Sequence, residues 1–137
     1  MSAIPKAKIL LVDDNAIVLE VFRAALESAG YLVATLDSAL RLNSALREHD
    51  PDLILLDISM PALSGDKAVT FVRRRRFGAD IPILLFSDLE EEELRRLTAS
   101  SGASDYVRKS SDHTALLAAI SRLLAPQLPG EPLGEAQ

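Results

Sequence analysis

Short apolar runs alternate along the chain with longer stretches of helical period. Residues 9–12, Ile-Leu-Leu-Val, form a continuous aliphatic run closed by aspartate, which predicts a buried strand. Over residues 15–29, Val18, Val21, Phe22 and Ala25 recur at the spacing of one helix face. Gly30 follows where a helix end favours positive φ. Residues 31–36 predict a second strand, 38–48 a helix stopped ahead of Pro51, and 53–58 a third strand. Asp66 is placed to cap a helix ending near Arg76, and Pro82 opens a fourth strand over 83–86. Asp88 and Glu91 form a candidate helix-capping pair ahead of Leu94 and Leu97. Residues 105–108 predict a short fifth strand. Residues 112–124 predict a last helix, with Leu116, Ile120, Leu123 and Leu124 inward.

Strand and helix therefore alternate five times. The central strands are continuous apolar runs, the pattern of parallel strands covered on both faces, so the fold class is a single doubly wound α/β domain. A length of 137 residues fits one domain. Residues 6–125 carry the periodic pattern, and residues 126–137, with prolines, glycines and no periodicity, read as a mobile tail. The absence of cysteine excludes a disulfide framework, a thiolate zinc site and a cysteine nucleophile. A net charge of −5 argues against non-specific binding to nucleic acid or anionic membrane. No apolar run is long enough to span a bilayer, and no apolar signal segment follows the first lysines, so the expected location is cytoplasmic.

In doubly wound sheets function gathers at the carboxyl ends of the strands. Asp13 and Asp14 follow the first strand, Asp57 ends the third, Ser87 the fourth and Lys109 the fifth. Singly, each passes as loop chemistry; together they are poorly explained that way. Three carboxylates repel one another unless a cation sits among them. Oxygen donors without histidine or cysteine suit a hard divalent ion, Mg²⁺ before Zn²⁺. A lysine and a hydroxyl facing them suit a phosphoryl group, whose oxygens need neutralising.

The residues 8–15 (KILLVDDN), 51–61 (PDLILLDISMP), Gly65, 82–87 (PILLFS) and 102–109 (GASDYVRK) give the chain a specific resemblance. It resembles the CheY-like receiver domain of bacterial two-component response regulators over about residues 6–125. The resemblance implies a flavodoxin-like sheet of five parallel strands in order 2-1-3-4-5 with five helices. It implies that Asp57 accepts a phosphoryl group from a sensor histidine kinase. Mg²⁺ (or Mn²⁺) would be held by Asp13, Asp14, Asp57 and the backbone carbonyl of Ser59. Ser87 would hydrogen-bond the phosphoryl group, Lys109 would pair with it, and Tyr106 would turn inward as Ser87 moves. A downstream protein would then be met through the fourth helix, fifth strand and fifth helix, with a homodimer as a further option. On this reading the chain is a regulatory phosphoacceptor rather than an enzyme.

Two positions depart from the family pattern. Ser110 stands where a proline in a cis bond is usual, so either the Lys109–Ser110 bond is trans and aims the lysine differently, or strain is stored there. Asp88 replaces the usual small residue and is most simply a helix cap. These departures motivate the alternative, a degenerate receiver that binds proteins without phosphorylation. A haloacid-dehalogenase-like hydrolase needs a second aspartate two residues past the nucleophile, where this chain has Ser59. A flavin-binding domain needs a phosphate-cradling loop where Asp13-Asp14-Asn15 would repel the phosphate. Arg73–Arg76 at the end of a predicted helix and Glu90–Glu93 at the start of the next suit the helix dipole, without a nucleic-acid role. Phe22 and Tyr31 are expected in the packing and His113 at the surface.

Overall fold

The structure is a computed structural model and describes residues 7–58, 81–110 and 112–125. The predicted helix at 66–76, the Arg73–Arg76 run, Ser59 and the segment 126–137 lie outside the described residues. In chain order the elements are β1 (Lys8–Val12), α1 (Ala16–Ser28), β2 (Leu32–Leu36), a 3₁₀ turn (Ala39–Arg41), α2 (Leu42–His49), β3 (Leu53–Asp57), β4 (Ile83–Ser87), α3 (Glu91–Ser101), β5 (Asp105–Arg108) and α4 (His113–Leu124). The five strands form one sheet in the order β2-β1-β3-β4-β5. Every adjacent pair is parallel. Here α3 is the helix after β4, counted fourth in the sequence.

Alternation along each strand divides the core in two. Leu10, Val12, Ile54, Leu56, Ile83 and Leu85 pack on the side of α2 and α3, with Leu42, Leu46 and Leu94. Ile9, Leu11, Leu53, Leu55, Leu84, Phe86 and Val107 pack on the other side, with Phe22 and Leu26 of α1 and Leu116 and Ile120 of α4. β3 and β4 are buried along their whole length, which is why they read as unbroken apolar runs.

Local chemistry sets where the helices begin. Asn15 caps α1, its Oδ1 accepting from the Ile17 and Val18 N–H groups at 2.9 and 3.1 Å. Asp112 caps α4 through the Ala115 N–H at 3.2 Å. Gly30, at φ 101°, takes the positive φ expected of it after α1.

Three local expectations change. Val21 is 48% exposed, and the buried stripe of α1 runs through Phe22 and Leu26 instead. The helix expected over 38–48 starts as a 3₁₀ turn, and its α-helical part ends at Asp50 in the left-handed region, φ 47°. Asp88 does not cap α3: the helix starts at Glu91 with Glu90 at the cap position and no side-chain capping bond. Glu91, Glu92 and Glu93 fill its first turn, where the dipole favours anions.

Candidate functional site

Register explains which side chains meet. Asp57 pairs with Phe86 across β3 and β4, and Phe86 with Val107 across β4 and β5. Asp13 and Lys109 extend the rows of Leu11 and Val107 by one side-chain period. Asp13, Asp57, Phe86 and Lys109 therefore share the α1/α4 face at the carboxyl edge of the sheet. Ser87 extends the row of Leu85 and pairs with Arg108, so both belong to the opposite face together with Tyr106. Backbone bonds carry the order past the strand ends: Asp13 N–H donates to the Leu36 carbonyl at 3.1 Å and Lys109 N–H to the Ser87 carbonyl at 2.9 Å.

Asp13 and Asp57 are almost completely buried, at 0% and 1% exposure, while Asp14 is exposed. Carboxylate oxygens of the three lie within 4.8 Å of one another. Asp13 Oδ1 accepts the Asn15 N–H at 2.9 Å. The Lys109 ammonium lies 2.8 Å from Asp13 Oδ2 and 3.6 Å from Asp57 Oδ2. It also sits 5.3 Å above the centre of the Phe86 ring, a cation–π distance. Burial pulls the Lys109 pKa down. The hydrogen bond to Asp13 and the charges of Asp57 and Asp13 more than offset this, leaving it above the ordinary lysine value.

Lys109 thus reaches both buried carboxylates. No peptide bond among the described residues is cis, so the Lys109–Ser110 bond is trans. With the bond trans, the ammonium stands between Asp13 and Asp57. Ser87 is fully buried, and its Oγ accepts the Leu89 N–H at 3.1 Å. Tyr106 is partly buried against the core on the α2/α3 side, and its hydroxyl donates to Glu91 Oε2 at 3.0 Å.

The donor set fits a hard divalent cation. Ligand oxygens on an octahedral ion at about 2.0–2.1 Å stand about 3–4 Å apart, comparable with the 4.8 Å within which the three carboxylates lie. Three carboxylates against one ammonium leave a net charge of −2, which further positive charge would balance. Asp13, Asp14, Asp57, Ser87 and Lys109 all stand at the edge where the sequence places them. The sequence alone assigns no site role to Phe86 or Arg108, and gives Glu91 only a helix-capping one.

Residues 9–121 match the model of the response regulator receiver domain. Among curated proteins, the chain is 32% identical over 123 residues to the phosphate regulon transcriptional regulatory protein PhoB of Pseudomonas aeruginosa, covering 90% of this chain and 54% of that protein. The chain spans about half the length of the first curated relatives it matches. Among solved structures it resembles the chemotaxis protein CheY4 of Vibrio cholerae, with TM-score 0.81 and 27% identity over 87% of this chain and 99% of that one. It also resembles the receiver domain of a sensor histidine kinase from Pseudomonas aeruginosa, solved with a magnesium ion in the active-site cleft. There the TM-score is 0.80 and the identity 26%, over 88% of this chain and 99% of that one.

Proposed function

The chain belongs to the response-regulator receiver family, and on that premise we propose that Asp57 accepts a phosphoryl group from a sensor histidine kinase. The observation that carries this reading is a buried carboxylate, Asp57, grouped with Asp13 and Asp14 and faced by the Lys109 ammonium. A carboxylate oxygen of Asp57 attacks phosphorus as the P–N bond of phosphohistidine breaks, its electron pair leaving with the imidazole. The product is an acyl phosphate. Lys109 neutralises a phosphoryl oxygen, and the Ser87 hydroxyl donates a hydrogen bond to another.

Asp13, Asp14 and Asp57, with the backbone carbonyl of Ser59, are the residues that would hold Mg²⁺ or Mn²⁺. The ion supplies positive charge against the phosphoryl oxygens. Lys109 alone cannot balance three carboxylates and an incoming dianion. Family members are regulatory domains, and the output here is a change of surface. Ser87 and Tyr106 respond to the phosphoryl group, and the face formed by α3, β5 and α4 meets a downstream protein or a second copy of the chain. Residues 6–125 form this cytoplasmic module and 126–137 a tail. A phosphorylation-independent binding module has no need of all five site residues on one edge.

Reduction of the acyl phosphate with borohydride, followed by peptide sequencing, tests the assignment. Homoserine at position 57 is expected; homoserine elsewhere, or none, contradicts it.

A further inference from the structure

Tyr106 and Arg108 are alternate residues of β5 and share the face of Ser87. Both reach the segment that joins β4 to α3. Arg108 Nε donates to the Leu89 carbonyl at 3.0 Å, and its Nη2 to the Asp88 carbonyl at 3.4 Å. The Tyr106 hydroxyl donates to Glu91 Oε2 at 3.0 Å. Between these two ties, the Leu89 N–H donates to Ser87 Oγ at 3.1 Å. The edge strand therefore grips the segment from Asp88 to Glu91 at two places, and the same segment holds the Ser87 hydroxyl. An arginine near a strand end is ordinarily solvated; this one spends its donors on two loop carbonyls.

We infer that this double tie is a lock on the Ser87 segment, with Glu91 holding the Tyr106 ring in its present place and Arg108 pinning the loop. The inference rests on the phosphoacceptor reading and deepens it. A phosphoryl group on Asp57 shifts the protein only through contacts that differ between two states. A turn of Tyr106 away from Glu91 must break this bond, so the bond favours the present state. Removing a contact made in only one state raises affinity for a ligand that prefers the other, by the same coupling. The contact of Glu91 with Arg95 at 3.8 Å is between exposed groups and adds little.

The test titrates beryllofluoride, a phosphoryl mimic, with Mg²⁺ into the wild type, E91A, Y106F, E91A/Y106F and Arg108→Met, which keeps an apolar stem without donors. E91A and Arg108→Met should each bind about two- to tenfold more tightly. The effect of E91A should largely vanish in the Y106F background, because the lock acts through that hydroxyl. Unchanged or weaker binding in either single variant overturns the lock, as does an E91A effect that persists in full without the hydroxyl. A second readout needs no mimic: in E91A, side-chain couplings of Tyr106 should change from one rotamer to an average. One unaltered rotamer overturns the lock. Failure of the wild type to bind the mimic would instead count against the phosphoacceptor reading.

Discussion

Lys109 lies closer to Asp13 than to Asp57, 2.8 Å against 3.6 Å, although Asp57 is the proposed phosphoacceptor. Asp13 thus holds the ammonium beside Asp57, where a phosphoryl oxygen can compete for it. Replacing Lys109 with methionine leaves two buried carboxylates without their cation. Breaking a buried pair costs about 3–5 kcal/mol, and partial exposure of Lys109 reduces this to about 1–3 kcal/mol. Its raised pKa fixes the pH dependence. A group whose folded pKa lies above its unfolded value stabilises fully below the unfolded value and loses that contribution as pH rises through the folded one. The stability gap between wild type and Lys109→Met, from urea unfolding, should be constant up to about pH 9 and shrink above about pH 10.4. A gap that widens there contradicts the ion-pair account.

Asp14 has a different place, exposed at the mouth of the cluster. Asp14→Asn should slightly stabilise the metal-free protein, by up to about 1 kcal/mol, because like charges 4–5 Å apart in water repel on that scale. It should also lose response to metal. Mg²⁺ at a hundred times its dissociation constant stabilises a folded protein by about 2.7 kcal/mol. Thermal unfolding with and without Mg²⁺ reads both effects. An equal Mg²⁺ shift in Asp14→Asn and wild type removes Asp14 from the ligand set.

Much of the fold was legible because β1, β3 and β4 are buried on both faces and leave unbroken aliphatic runs. The site was legible for a related reason: Asp13, Asp14, Asp57 and Ser87 stand where such runs stop, and Lys109 follows the short β5. What the sequence hid depends on side-chain direction and on long-range contact. The stripe through Val18, Val21 and Phe22 has helical period, but period alone does not say which edge meets the sheet; Val21 fell outside. Asp88 carries the spacing of a capping pair, yet α3 starts later, and the Asp88 backbone carbonyl is tied by Arg108, twenty residues on. The position of the Lys109 ammonium is set by the Asp13 carboxylate, ninety-six residues earlier, which local sequence does not join to it.

Ser87 links the carboxylate edge to the opposite face. Ser87→Ala should weaken beryllofluoride binding about tenfold or more, since a hydrogen bond to a charged group is worth roughly 1.5–3 kcal/mol. Mg²⁺ affinity should stay the same, because the hydroxyl is outside the proposed ligand set. Titration of each ligand separately checks this, and a parallel loss of Mg²⁺ affinity would show that the substitution has disturbed the whole edge.

The central claim is that Asp57 is the single phosphoacceptor, and intact mass spectrometry tests it most directly. After incubation with acetyl phosphate and Mg²⁺, the wild type should gain the mass of one phosphoryl group, and Asp57→Asn none. The gain should disappear when EDTA replaces the metal. An unchanged wild-type mass at saturating donor and Mg²⁺, or an equal gain in Asp57→Asn, would contradict the account.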